Sequence, residues 1–209
     1  MRTHRSVWVA LSVFVVQAAP GSAAVIAGSS LASPPPFWTD SFWGLTPTIE
    51  QAFPFEVIPG GPYLAEALEV AVHHYEGLAG DTAEFSIHLD EAGLPGTQIA
   101  TFPLSGISTT QQVLTATPLE VPVLNPGTAY WLVGSTSQGQ VNWNLADSVF
   151  GPAAYRVAGD DWVVLANTNV SAFAILGSPV PEPSSAILMG GVLVFSAWRG
   201  RRLRKRKRG

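Results

Sequence analysis

The 209-residue chain has no cysteine, and between Arg5 and Arg199 its only cation is Arg156. Without thiols there can be no thiol catalysis, disulfide staple, thiolate-held zinc or iron–sulfur cluster, so any folded body must stand on its apolar core. Lysine is absent until Lys205, while fourteen of the fifteen acids fall between Asp40 and Asp161. Residues 25–180 therefore carry a net charge of about −13, a surface that repels nucleic acid and anionic lipid. No nucleic-acid partner is expected. Long apolar runs are also missing: none reaches the roughly 20 residues that span a bilayer. Nor is there a nucleophile elbow, a phosphate-binding loop, a dinucleotide fingerprint or a calcium-loop repeat.

What is present is concentrated at the two ends. Arg2 and Arg5 precede an apolar run in which Val7, Trp8, Val9, Leu11, Val13, Phe14, Val15 and Val16 stand, and Pro20-Gly21 and Ser22-Ala23-Ala24 follow. Basic, apolar and small segments in that order read as a secretory signal peptide, residues 1–24, cut after Ala24. Signal peptidase and the secretory translocon are the partners this implies. Residues 25–36, ending in Ala-Ser-Pro-Pro-Pro, read as a linker.

The far end, residues 178–209, has three parts. Val180-Pro181-Glu182-Pro183-Ser184-Ser185 is held extended by its prolines. Residues 184–198 are uncharged and helix-compatible, closing on Trp198, an indole suited to a membrane interface. The third part, 199–209, is a basic tail that includes Arg199, Arg201, Arg202 and Arg204, which stays cytoplasmic under the positive-inside rule and stops transfer. As a helix, 184–198 is about 22 Å long, short of a hydrocarbon core of about 30 Å, which suits transient retention in the inner membrane.

This tripartite end resembles the PEP-CTERM sorting signal, over residues 180–209. The resemblance implies recognition by an exosortase, a membrane enzyme that cuts near Pro-Glu-Pro. Val180, Pro181, Glu182, Pro183 and Ser184 would be substrate residues of that enzyme. It also implies an inner-membrane-anchored precursor with its body outside the cytoplasm, and a destination at the cell surface or matrix of a Gram-negative bacterium that makes exopolysaccharide.

Between the signals, residues 37–177 read as one β-rich domain. Phe85, Ile87 and Leu89 alternate with polar neighbours, and Glu91 to Gly96 and Asn125-Pro126-Gly127 read as turns. Strands are expected at Leu64–Tyr75 (where the Ala, Glu and Leu content also fits a helix, and strand is chosen because the neighbours are strands), at Leu119–Leu124 (an edge, because of Pro122), at Thr128–Val133, Gln140–Leu145, Trp162–Leu165 and Val170–Leu176. Short strands spaced by turns predict an all-β fold, an antiparallel, jelly-roll-like β-sandwich. The runs Phe85 to Asp90, Gly93-Leu94-Pro95-Gly96 and Leu124 to Leu132 resemble the choice-of-anchor type R surface domains, which implies a β-rich ectodomain without a defined ligand.

The chemistry on offer in the body is sparse. His73 and His74 are adjacent and face opposite ways on a strand, so they do not share a site. Asp90-Glu91 and Asp160-Asp161 are acid pairs beside turns; they read as solvated, no cofactor is expected, and calcium is the one ion they leave open. Trp131 reads as core. Asn142, Trp143 and Asn144 form the candidate glycan contact, an aromatic face with flanking amides. The expected role is non-enzymatic and structural or adhesive, with exopolysaccharide as a partner; a carbohydrate-binding module is the alternative, and a secreted hydrolase the third.

Overall fold

The structure, a computed structural model, describes residues 23–29, 31, 37–75 and 82–181. Most of the signal peptide, Glu182, Pro183 and Ser184, the apolar segment 184–198 and the basic tail lie outside the described residues.

Twelve strands follow one another: β1 Ala24–Gly28, β2 Phe37–Leu45, β3 Ile49–Glu56, β4 Tyr63–His74, β5 Thr82–Asp90, β6 Pro95–Ser105, β7 Gln112–Ala116, β8 Val123–Leu124, β9 Ala129–Ser135, β10 Val141–Val157, β11 Val163–Ser171 and β12 Phe173–Pro179. They form one large antiparallel sheet in the order β1-β12-β4-β10-β3-β9-β5-β6, with β2 and β11 also on β10 and β7 and β8 on β4. The sheet is not closed. The all-β, antiparallel expectation therefore holds.

β10 joins the two halves of the sheet. Its first part, from Val141, pairs with β2 and β4, its last part, from Ala154, pairs with β3, and β11 runs beside it from Leu145 to Tyr155. Register shifts between Leu145 and Phe150 and between Gly151 and Ala153, with Ser148 at a φ of 57°, mark where the strand bulges and turns. Rings from both halves meet ahead of that bulge. Trp143 of β10 is fully buried, with Phe53 and Phe85 edge-on at 5.0 and 4.9 Å and Phe173 tilted at 6.1 Å. Gly134 makes room for that indole: a Cβ there would stand 2.9 Å from Phe85 and 3.1 Å from Trp143.

Three expectations are corrected. The segment read as a linker, 25–36, starts inside β1, where Ile26 is fully buried and β12 supplies the ladder. The strand expected at Leu119–Leu124 shrinks to β8. Pro122 has no N–H to give, its carbonyl takes the Ala65 amide instead, and Leu119 is 72% exposed. Val170–Leu176 is divided at Ala172 between β11 and β12. The segment at Leu64–Tyr75 is a strand as expected, and so are Thr128–Val133 and the start of β10. The turn after β5 is closed by paired bonds between the backbones of Glu91 and Leu94.

Candidate functional site at the sorting junction

β12 runs between β1 and β4, so its residues are held on both sides. From Phe173↔Val70 to Pro179↔Tyr63 it pairs with β4, and Gly177 faces Ala24 of β1. A Cβ at Gly177 would collide with the Leu64 carbonyl oxygen, which makes glycine the residue that lets the two strands close. The Ser178 hydroxyl donates to the Glu66 carboxylate, and the Val180 N–H donates to the Pro62 carbonyl at 2.8 Å. Pro181 has no N–H, so the ladder ends there. Of the sorting residues read from the sequence, Val180 and Pro181 are thus placed at the end of a central strand. Glu182, Pro183, Ser184, Trp198, Arg199, Arg201, Arg202 and Arg204 lie outside the described residues.

The glycan candidates are placed where no sugar reaches them. Trp143 points into the core, and its indole N–H donates to the Ala172 carbonyl at 3.2 Å. Asn142 and Asn144 are fully buried on the opposite face of β10. There the Gln140 amide donates to Asn142 Oδ1 at 2.9 Å, the Asn142 amide donates to His73 Nε2 at 3.0 Å, and His73 Nδ1–H donates to Asn144 Oδ1 at 2.8 Å. Phe42 stands edge-on to His73 at 5.6 Å. Burial holds the His73 pKa below its usual value, against the Asn144 hydrogen bond, with the charge of His74 adding to the lowering. The flanking asparagines mark a buried polar chain rather than a wet platform. His74, on the other face of β4, donates from Nδ1 to the Tyr75 carbonyl at 3.1 Å.

The acids and the remaining histidine are tied into turns. Asp90 accepts the Trp131 indole N–H at 2.7 Å and the Gly93 N–H at 3.1 Å. Trp131 is buried, as expected. Glu91 accepts both the N–H and the hydroxyl of Thr97 at 2.7 Å, which lowers its pKa. The Asp160 N–H donates to the Val157 carbonyl in the turn after β10. His88 donates from Nδ1 to the Gly96 carbonyl at 2.7 Å and accepts the Ser86 hydroxyl at Nε2; burial lowers its pKa. Among the described residues, no three His, Asp or Glu side chains are grouped to hold a metal ion.

One feature escaped the sequence reading. A recess of about 610 Å³ with a mixed lining opens beside Glu50, Glu84, Pro103, Leu104, Ser135 and Thr136. Glu84 and Ser135 are register partners, while Glu50 is ion-paired with Arg156, whose guanidinium lies 4.7 Å from the centre of the Trp162 ring. No local signal marks it, because its lining comes from β3, β5, β6 and β9, which are far apart in the chain.

An all-β body whose last strand runs straight into a proline-punctuated, apolar and then basic tail defines a sorted surface protein. A model of the PEP-CTERM protein-sorting motif matches residues 179–202, beginning on the last residue of β12. The motif makes this an exported, membrane-sorted protein at the cell surface, processed by an exosortase. No curated protein matches the chain.

Proposed function

We propose that the chain is a non-enzymatic surface protein whose β-rich body, folded as a sandwich, is delivered through its C-terminal signal to serve a structural or adhesive role in an exopolysaccharide matrix. The observation that carries this is the junction: the sorting match starts at Pro179, the last residue of β12, so the signal is fused to a folded body. The meeting of rings from β3, β5, β10 and β12 around Trp143 supports the layered body. Likeness of the Phe85–Asp90 and Leu124–Leu132 runs to choice-of-anchor domains supports the ectodomain role. The signal peptide 1–24 provides export, and the mature chain begins within β1.

The test is to map both termini of the mature protein by mass spectrometry in host cells with and without the exosortase. The proposal expects an enzyme-dependent mature form lacking residues 186–209. An intact tail in both strains, with the protein kept in the inner membrane, overturns it.

The recess beside Ser135 favours a second reading, glycan binding at a place other than Trp143. Its hydroxyls and the Glu84 carboxylate suit sugar hydroxyls, while Glu50 is committed to Arg156. Titration of the body with the host's own exopolysaccharide decides. Binding that is lost in Ser135→Ala with Thr136→Ala supports a glycan site; binding unaffected by them, or absent, removes it.

A further inference from the structure

The chain leaves the body with its backbone donors on one edge. In an antiparallel ladder successive residues turn their N–H and C=O to opposite sides, so every second amide faces the same neighbour. At the end of β12 the partners fix which residues face which way. The Val180 N–H faces β4 and reaches the Pro62 carbonyl at 2.8 Å, and Ser178, two residues earlier, stands opposite Leu64. Gly177 and Pro179 face the other side. Their partners on β4, Ala65 and Tyr63, also turn away from β12: the Ala65 N–H donates to the Pro122 carbonyl at 3.0 Å, and Tyr63 pairs with Leu124 of β8. On the far side of β12, Gly177 meets Ala24, where β1 begins, and no described strand lies opposite Pro179 there. The sequence explains why that ladder stops. Pro179, Pro181 and Pro183 stand at every second position, and proline has no N–H to give. From Ser178 to Ser184 an extended chain therefore has all its donors, those of Ser178, Val180, Glu182 and Ser184, on one edge and none on the other.

We propose, resting on the sorting reading above, that the exosortase binds the sorting segment as an added strand through this donor edge, taking the Glu182 and Ser184 amides, while the body keeps the same edge up to Val180. An extended peptide laid along a strand gains affinity from main-chain hydrogen bonds and specificity from pockets for alternate side chains. Only the donor edge of this segment can form such a ladder in full, because the proline edge offers carbonyls alone. The body itself uses the segment in this way: β4 follows the donor edge to Val180, and the proline edge is left without a described strand beyond Gly177. Val180 is not free for the enzyme, since the Pro62 carbonyl takes its N–H and the Ser178 hydroxyl beside it is tied to the Glu66 carboxylate. Glu182 is the first amide of that edge past this hold. The matched motif begins at Pro179, so its first two residues belong to the folded body and the enzyme takes over the edge after Pro181. Pro62 and Glu66 are positioning residues in this scheme: they set where the enzyme's ladder starts.

Replacing one amide N–H at a time tests this without altering a side chain. The full chain is made by cell-free translation with the hydroxy-acid analogue of Val180, Glu182 or Ser184, which turns that amide into an ester and removes its donor. Each chain is titrated in detergent against the host's exosortase carrying an active-site substitution that binds without cutting, so that the reactivity of the ester does not enter the reading. Protease resistance of residues 25–180 confirms that the body is folded in every chain. The expected result is a Kd raised at least about fivefold by the ester at 182 and by the ester at 184, as for a lost backbone bond, and within about twofold of the unmodified chain for the ester at 180. An unchanged Kd at both 182 and 184 overturns the edge pairing and leaves the sorting reading standing. Equal weakening at 180 and 182 overturns the division of the edge at Pro181, because the enzyme would then hold what the body holds here. An unmodified chain that is neither bound by this variant nor cut by the active enzyme overturns the sorting reading as well.

Discussion

Trp143 concentrates the stability of the body in one side chain, because three phenylalanines from three other strands close around it. Trp143→Ala leaves a void that those rings cannot fill, and should cost about 3–5 kcal/mol in urea unfolding of the purified body. A loss well below 1 kcal/mol would mean that the ring is not the junction of the two halves of the sheet. Gly177→Val tests close approach instead of volume. The added side chain meets the Leu64 carbonyl, so fast amide exchange should spread along the end of β12 even where the rest of β4 stays protected. The histidines give a pH dependence. His73 and His88 both have pKa values lowered by burial below 6.5 in the folded body. The unfolded chain then takes up protons that the folded chain refuses, so stability is full above pH about 6.5 and declines as pH falls through that value towards the folded pKa values. His73→Gln should flatten part of that decline, read as the urea midpoint against pH between pH 7 and 5.

At the scale of elements, the ends of the strands decide what was legible. The stretch from Phe85 to Asp90, the turn at Glu91 and the turn at Asn125 could be read because alternation and turn chemistry are local. β10 could not: Asp147, Ser148 and Gly151-Pro152 look like a break, and only pairing with β11 and β3 on the far side of the bulge keeps the strand going to Val157. The same limit explains the glycan candidates. Alternation places Trp143 and its asparagine neighbours on opposite faces, but nothing local says that both are buried, the indole among the core rings and the asparagines hydrogen-bonded to His73 and Gln140. The sorting motif, by contrast, was readable in full because its parts are contiguous, while its docking onto Pro62 depends on a residue 118 positions away in the chain, as the numbering of the two partners shows. That docking makes a prediction for β12 as an element. Removing residues 182–209 should leave the unfolding midpoint of the body unchanged, since among the described residues the last backbone bond is made by Val180. Ending the chain at Leu176 removes the pairs at Gly177, Ser178 and Pro179 and the Val180 bond, and should lower the midpoint and expose the edge of β1. Equal midpoints for the two truncations would show that the junction is not part of the folded unit.

For the whole molecule, charge is the quantity that sorting changes most. The full chain has a net charge of −4 and an isoelectric point near 5.5, but ten of its eleven cations lie in the two end segments that the processing reading removes. The product left behind, residues 25–185, has Arg156 alone against all fifteen acids, and Arg156 is already paired with Glu50. Its isoelectric point should therefore drop to about 4, the ordinary carboxylate range, because little else is left to titrate. Isoelectric focusing of material released from the cell surface reads this directly: a band near 4 accompanies loss of both ends, and a band still near 5.5 shows that the basic tail has been kept. The consequence for function follows from the same charge. A product at about −14 is pushed away from an acidic exopolysaccharide at low ionic strength and approaches it as salt screens the repulsion or as divalent cations bridge carboxylates on either side. Retention of the mature body by the host's matrix should then rise with added magnesium or calcium and fall with a chelator, whereas a neutral glycan bound in the recess beside Ser135 would hold it with no dependence on either.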